Sequence, residues 1–299
     1  MKTALLMILP LFLVACATDS TDADAVPDGR ADWEAWHQAR LDGLREPDGW
    51  LSLAGLYWLD EGEHTVGSDA GSDVVFPPSA PAHVGTFVVA NDTVTLRADE
   101  NAGVMHDGAP VEEIVLNDDL SGAPTIVEAG ALSWHAIRRS RGLGIRLRDA
   151  ESAVLRDFDG IETYAYDAGW RVEARLDPYA DGRTLMIPSI TGVPEESPSP
   201  GALVFTHDGT EYRLDVTGEP DAEQYFAVFA DATSGGETYG GGRFVYVEAV
   251  GADGRTTIDF NRAYNPPCIF TPYATCPLPP PQNRLPFRVE AGEKTWGGH

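Results

Sequence analysis

Three polar residues near the C-terminus, Asp259, Asn261 and Arg262, have the spacing with the most definite chemical meaning in this chain. Asp259 and Asn261 lie two residues apart in a predicted strand, so their side chains project from one face, and Arg262 follows at its end. If that face is covered, the Asp259 carboxylate needs a cation, which Arg262 or Arg243 is expected to provide. Such a cluster can clamp a loop, bind a polar ligand, or supply a catalytic acid or base.

Other candidate residues lie near this cluster in the sequence. Glu237 and Tyr239 precede the glycine run 240–242, and Tyr264 follows Arg262. If the protein is an enzyme, which the sequence leaves open, Asp259 or Glu237 is the expected general acid or base. The predicted ligand-binding residues are Asp259, Asn261, Arg262, Arg243, Tyr239 and Tyr264.

Cys268 and Cys276 lie eight residues apart in a stretch, 266–281, that contains seven prolines. In an exported protein we predict a disulfide between them, across a rigid loop. Two alternatives stay open, a zinc site and a nucleophilic thiol. Zinc would need further ligands, and the seven histidines show no paired spacing. A thiol nucleophile would tend to be oxidised by the second cysteine. We therefore predict no metal.

Arginines are concentrated between residues 138 and 156, at Arg138, Arg139, Arg141, Arg146, Arg148 and Arg156. The alternation in residues 145–148 places Arg146 and Arg148 on one face of a strand. These arginines either pair with Asp and Glu across neighbouring strands or line an anion-binding groove for a sugar acid or a phosphate.

The composition excludes several classes of partner. The 299 residues include 47 acidic and 21 basic residues, which gives a net charge of −26. A chain this acidic is repelled by nucleic acids and by anionic lipid headgroups, so neither nucleic-acid binding nor attachment through a basic patch is expected. The sequence also lacks a P-loop, a dinucleotide-binding glycine fingerprint, G-x-S-x-G and H-E-x-x-H, and we predict no cofactor.

The elements that position these residues are predicted to be mainly strands. Downstream of residue 50, short apolar runs rich in β-branched and aromatic residues alternate with turn sequences, and Asn91–Asp92 and Asp208–Gly209 are hairpin signals. One helix is predicted over 31–47, with Asp32 as its N-cap. The expected fold is mainly β, with an N-terminal β-sandwich over 48–123 and a second antiparallel β domain over 124–292.

The predicted sandwich resembles the forkhead-associated family. The resemblance rests on Thr65–Gly67, the turn 79–83, and Asp107–Gly108. Members of that family bind phosphothreonine through an arginine directly after the first glycine, but Ser68 stands at that position here. A hydroxyl cannot replace a charge-assisted, bidentate guanidinium contact, so phosphopeptide binding is not expected.

The N-terminus resembles a bacterial lipoprotein signal. Lys2 precedes an apolar stretch over 5–14, and small residues lead to Cys16. The resemblance implies removal of residues 1–15, acylation of Cys16, and a flexible tether over 16–30. The lipoprotein resemblance implies a location outside the cytoplasm, and because Ala17 rather than an aspartate follows Cys16, it favours the periplasmic face of the outer membrane if the source has two membranes. An ordinary secretory signal with a chance cysteine is the alternative.

Longer phrases resemble the family called domain of unknown function 1684. They cover residues 47–56, 199–205, 231–240, 259–268 and 273–279. The resemblance to this family implies no particular activity for the chain. The predicted function is a lipid-anchored binding or scaffolding module for a small polar ligand or an envelope partner. The alternative is an envelope hydrolase that acts on a glycan or an ester through Asp259 or Glu237. Residues 293–299 are expected to form a tail.

Overall fold

The protein is described by a computed structural model that covers residues 29–180, 183–219 and 221–297. The predicted signal over 1–15, Cys16, and the tether up to residue 28 lie outside the described residues. No helix in the described ranges has the length and apolar character needed to cross a membrane.

The mainly β fold is confirmed, with one substantial helix before the first strand. Helix α1 spans Arg30–Arg45, and Gly29 rather than Asp32 occupies its N-cap, with a φ of 74° that suits glycine. The helix ends at Arg45, and the backbone of the next residue, Glu46, is extended. Residues that precede a proline are disfavoured in helical conformation, and Pro47 follows Glu46. A second helix, α2, is a single turn over Ala153–Arg156.

Eleven strands form the first sandwich. They are β1 (Leu53–Trp58), β2 (Gly62–Gly67), β3 (Val74–Val75), β4 (Gly85–Ala90), β5 (Thr93–Ala98), β6 (Met105–His106), β7 (Ala109–Pro110), β8 (Glu113–Leu116), β9 (Val127–Ala129), β10 (Leu132–Arg139) and β11 (Gly142–Asp149). One sheet has the order β1-β11-β10-β9-β6-β7 and the other has the order β3-β2-β4-β5-β8. Phe87, Leu96, Trp134 and Ile145, from both sheets, belong to one buried core.

The first sandwich continues beyond its predicted end at residue 123. Strands β9, β10 and β11 join the sheet that begins with β1, and Trp134 and Leu147 pack in the same core as Phe87. The predicted boundary therefore falls inside this sandwich, whose last strand ends at Asp149. Alternating strands at regular spacing look alike on both sides of residue 123, so the sequence pattern contains no marker of the true limit.

The position that would hold phosphate in a forkhead-associated domain has a local structural role here. The Ser68 hydroxyl donates a hydrogen bond to the carbonyl of Ala80, at 2.9 Å. This contact joins the residue after Thr65–Gly67 to the turn 79–83, two of the three segments on which the resemblance rests. The forkhead-associated assignment itself stays a prediction.

Eight strands follow and form the second β unit. They are β12 (Arg171–Pro178), β13 (Thr184–Ile187), β14 (Glu195–Pro198), β15 (Gly201–His207), β16 (Thr210–Val216), β17 (Gln224–Phe229), β18 (Arg243–Glu248) and β19 (Arg255–Asp259). A four-stranded sheet has the order β16-β15-β12-β19, and β13-β14 and β17-β18 form separate pairs. Every pairing between these eight strands is antiparallel. Phe205, Phe229, Val245 and Phe260 pack in its core.

The proline-rich loop packs between the first sandwich and the second β unit. The predicted disulfide is confirmed: Cys268 and Cys276 are joined, with their Cα atoms 6.1 Å apart. Cys276 packs in a small buried cluster with Leu53 of β1 and Phe244 of β18. The disulfide therefore closes a loop that contacts both halves of the molecule.

One buried histidine makes the stability of the fold depend on pH. His135 of β10 is buried, and desolvation, together with the charges of Arg146 and Arg148, lowers its pKa to about 4. An unfolded histidine titrates near 6.5, so the unfolded chain binds the proton more readily between these two values. Stability is thus unaffected above about pH 6.5 and falls by about 3 kcal/mol as the pH approaches 4.

The measurement is urea denaturation at several pH values, for the natural protein and for His135→Asn. The natural protein should lose stability between about pH 6.5 and 4.5, and the variant should lose much less over that interval. Parallel pH profiles for the two proteins would contradict the assignment to His135.

Candidate functional site

A cavity of about 340 Å³ lies where helix α1 meets strands of the second β unit. Three of the six predicted ligand-binding residues, Asp259, Arg262 and Tyr264, line it. The full lining is Trp36, Arg171, Gln224, Tyr246, Glu248, Thr257, Asp259, Arg262 and Tyr264. We call this space the α1 cavity.

The position of Asp259 is fixed by the end of a strand. Asp259 is the last residue of β19 and lies opposite Arg171 in β12. Its Oδ1 accepts the backbone N–H of Asn261 at 3.1 Å, which caps the short 3-10 helix Phe260–Arg262. This turn brings Arg262 back towards the same carboxylate, where its Nε lies 3.8 Å from Oδ2.

The charges that line the α1 cavity balance. Arg171 Nε lies 3.6 Å from the Asp259 carboxylate, so this single acid faces two arginines. Glu248 is the second acid, and its Oε1 accepts a hydrogen bond from Gln224 at 2.6 Å. Two cations and two anions therefore surround the space, in a chain whose net charge is −26. Such a lining offers many hydrogen-bonding groups without selecting for a charged ligand.

Aromatic rings form the other wall. Tyr246, which is 52% exposed, stacks nearly parallel to Tyr264, with 6.2 Å between the ring centroids. Trp36 of α1 approaches Tyr264 at 6.4 Å. Burial raises the pKa of the Tyr264 hydroxyl well above its usual value, so the phenol stays neutral. Tyr246 and Tyr264 also line a second cavity of about 180 Å³.

Asn261 does not line the cavity but holds the Asp259 carboxylate in place. It is buried, and its amide donates to the Asp259 carboxylate at 3.0 Å and to the backbone carbonyl of Asp167 at 2.9 Å. Its Oδ1 accepts the backbone N–H of Asp167. Asn261 lies in the 3-10 helix rather than in the strand, so the predicted shared strand face is wrong. The amide nevertheless contacts Asp259, and it fixes the orientation of that carboxylate.

The comparisons with known proteins place most of this site in one family. Residues 156–294 match the family described as "Protein of unknown function (DUF1684)". This part of the chain is similar to that family. An uncharacterized protein from Haloarcula marismortui, solved by solution NMR, is 32% identical with a TM-score of 0.40, over 48% of this chain and 80% of that chain. The search of curated proteins finds no match.

The DUF1684 segment supplies all of the cavity lining except Trp36, which comes from α1. The side chain of another α1 tryptophan, Trp33, donates to the backbone carbonyl of Asn261 at 2.8 Å. Helix α1 therefore completes a site whose charged groups belong to the family segment.

Arg243, another residue of the DUF1684 segment, lies elsewhere. It pairs with Asp231 at 2.7 Å and not with Asp259, and both side chains are fully buried. Its guanidinium also donates to the backbone carbonyls of Val289 and Ala291. Of the two cations considered for Asp259, Arg262 lies near it and Arg243 does not, because the chain turns Arg243 into the interior while Asp259 stays at the cavity. Arg243 therefore clamps the C-terminal segment.

Tyr239 and Glu237 also lie outside the α1 cavity lining. Tyr239 packs against an apolar cluster that includes Leu44 and Phe270. Glu237 is half-exposed, accepts the Tyr164 hydroxyl at 2.8 Å, and pairs with Arg288. The Arg288 guanidinium lowers the pKa of the Glu237 carboxyl, which stays ionised at neutral pH. The sequence places these residues near the site only because they are close to it along the chain.

Six lining residues were not predicted: Trp36, Arg171, Gln224, Tyr246, Glu248 and Thr257. Tyr246 had a signal in the sequence, because it occupies an outward position of β18, where an exposed aromatic ring is unusual. Arg171 and Glu248 had none, since acidic and basic residues are common at outward strand positions.

Proposed function

We propose that this protein binds a small, uncharged, hydroxyl-rich ligand, of the saccharide class, in the α1 cavity. The observation that carries the proposal is the combination of a charge-balanced polar lining with three aromatic rings around about 340 Å³. Ligand sites are typically concave, with apolar and aromatic walls and a few placed polar groups that fix the orientation of the ligand.

The two kinds of wall suit the two kinds of surface on a sugar ring. Tyr246 and Trp36 offer flat apolar faces for C–H groups, and their polar edges tolerate water when the cavity is empty. Asp259, Glu248 and Gln224 offer acceptors and donors for hydroxyl groups. Arg262 and Arg171 add guanidinium donors, because both side chains line the cavity.

The contacts of Asp259 favour binding over hydrolysis. A general acid or base must exchange a proton with the substrate, whereas Oδ1 of this carboxylate is held by two hydrogen bonds from Asn261 and Oδ2 lies near two arginines. Glu237, the other candidate in the hydrolase alternative, lies outside the cavity lining. We therefore propose Asp259 as a hydrogen-bond acceptor for the ligand.

Tyr246→Ala tests the proposal directly. The ring is half-exposed, so its removal should leave the melting temperature nearly unchanged while ligand affinity falls about tenfold or more. The measurement is calorimetric titration with soluble envelope-type sugars, including N-acetylglucosamine and its disaccharide. Tyr273→Ala is the matched control, because Tyr273 is 37% exposed and is not part of the cavity lining. Equal affinity of the natural protein and Tyr246→Ala would exclude this site.

We further propose that a lipid on Cys16 holds the binding domain at the envelope, on the periplasmic face of the outer membrane where there are two membranes. The support is the lipoprotein-like N-terminus, and each buried methylene of an acyl chain adds about 0.8 kcal/mol to membrane attachment. Cys16→Ser should move the protein from the membrane fraction to the soluble fraction. Intact-mass analysis of the natural protein should find an acylated N-terminal cysteine, and an unmodified Cys16 would exclude the anchor.

A further inference from the structure

Arg146 of β11 is a buried cation without an ion-pair partner among the described residues, and the nearest carboxylate that acts on its charge, Asp119, is already paired with Arg139. Arg146 is only 4% exposed, and no carboxylate of the described ranges lies within ion-pair distance of it. Its single hydrogen bond runs from Nη2 to the Thr275 hydroxyl, at 3.3 Å. The buried Nε has no hydrogen-bond partner. A guanidinium with five donor hydrogens is thus left largely unsatisfied.

The residues around Arg146 increase the positive charge. Arg148, two residues along the strand, is partly buried and donates to the backbone carbonyl of Gly49 at 2.6 Å. Burial, together with the charges of Arg139 and Arg148, lowers the pKa of Arg146 to about 10, although the Asp119 carboxylate acts in the opposite direction. His135 lies directly opposite Arg146 in β10. We call Arg139, Arg146, Arg148 and His135 the Arg146 cluster.

Pairing across strands explains other arginines of this stretch but not Arg146. Arg138 contacts Asp92 and Asp118, and Arg139 contacts Asp119, all at 2.7 Å. Arg146 and Arg148 have no such partner among the residues described. Burying a charge without an ion-pair partner costs several kcal/mol. The chain has 47 acidic residues, yet none of those described forms an ion pair with Arg146. The arrangement therefore suits an anion that arrives from outside.

We propose that the Arg146 cluster binds a small oxyanion, a phosphate or a carboxylate. The planar guanidinium group of arginine matches both geometries and forms paired, charge-assisted hydrogen bonds with either. The neutral imidazole of His135 adds a possible donor on the same strand face. This site is separate from the α1 cavity, whose lining shares no residue with the cluster.

The position of the cluster gives the anion a structural consequence. Thr275, which contacts Arg146, belongs to the disulfide loop, and Trp50, whose ring lies 5.6 Å from the guanidinium, begins the short 3-10 helix Trp50–Ser52. An anion at Arg146 thus stabilises the place where the loop of the second β unit meets the first sandwich. Binding should raise the melting temperature of the whole protein.

Thermal denaturation with inorganic phosphate and with glucuronate tests the proposal, at matched ionic strength in chloride. At about 10 mM of the preferred anion, the melting temperature should rise by about 3 °C or more. A rise with phosphate alone assigns the site to phosphate groups, and a rise with glucuronate alone assigns it to carboxylates. A rise with both supports a general oxyanion site, and no rise with either overturns the proposal.

Arg146→Met supplies the second readout. This variant should lose the anion-dependent rise and should melt a few degrees higher than the natural protein in chloride, because it removes a buried charge that has no ion-pair partner among the described residues. Arg138→Met, which removes a paired arginine from the neighbouring strand, should keep the rise. If Arg146→Met does not fold, Arg148→Met should show phosphate affinity at least about tenfold weaker by calorimetry. An unchanged response to the anion in folded Arg146→Met, or unchanged phosphate affinity in Arg148→Met, would contradict anion binding at the Arg146 cluster.

Discussion

Replacing Asp231 with asparagine is expected to lower the free energy of unfolding by about 3–5 kcal/mol, because it leaves Arg243 buried without a counter-charge. The two side chains have no solvent exposure and lie 2.7 Å apart. Asparagine has only one side-chain oxygen. If this oxygen accepts from Thr233, as Oδ1 of Asp231 does, the amide nitrogen faces the Arg243 guanidinium. If the oxygen faces the guanidinium instead, the hydrogen bonds with Thr233 are lost. The substitution therefore loses charge and hydrogen bonding together.

The loss of free energy can be measured by urea denaturation at neutral pH. In thermal denaturation, a loss of this size should lower the melting temperature by about 10 °C. Arg288→Gln is the matched control, because it breaks an ion pair of the same segment whose partners, Arg288 and Glu237, are half-exposed. The control should denature almost like the natural protein. Equal effects of the two substitutions would show that burial of the Asp231 pair has no special role.

Replacing Arg40 with methionine is the second substitution with a large expected effect. Arg40 of α1 contacts Glu293, whose side chain is fully buried, through both carboxylate oxygens. It also donates to the carbonyl of Asn265 at 3.0 Å and lies 4.5 Å from the Tyr264 ring. The substitution leaves Glu293 unpaired in the interior, so a loss of about 3–5 kcal/mol is expected.

This variant should also weaken ligand binding, because Arg40 holds the helix that carries Trp36. Arg45→Met, at the exposed end of the same helix, is the control and should affect neither stability nor affinity appreciably. Stability is read from urea denaturation, and affinity from calorimetry on the folded fraction. If Arg40→Met loses stability but binds with unchanged affinity, α1 does not form a wall of the binding site.

The sequence predicts the strand-rich fold well because the relevant information is local. Alternation of apolar and polar residues and turns such as Asp208–Gly209 mark individual strands, and Asp208 does adopt a left-handed conformation with φ 48°. The limits of the first sandwich depend instead on which strands pair. β1 pairs with β11, about ninety residues further along the chain, and no local pattern specifies that partner.

Distance along the chain explains which of the predicted site residues the structure brings together and which it separates. Asp259, Arg262 and Tyr264 lie within six residues, so a turn at the end of β19 suffices to bring them together. Arg243 forms an ion pair with Asp231, which lies at the other end of a long loop. The sequence alone does not show whether Arg243 pairs with Asp231 or with Asp259. Trp36 reaches the cavity from a helix more than two hundred residues away.

The most direct test of the α1 cavity as a binding site is Asp259→Asn, measured for affinity and for melting temperature in the same preparation. Asparagine caps a helical turn about as well as aspartate, and the two arginines that face this carboxylate are about one-third exposed, so little stability should be lost. We expect the affinity for the saccharide probe that binds the natural protein to fall about tenfold or more, with the melting temperature within about 2 °C of the natural value. A large fall in melting temperature with unchanged affinity would contradict this account, since it would make Asp259 a clamp within the fold rather than part of a binding site.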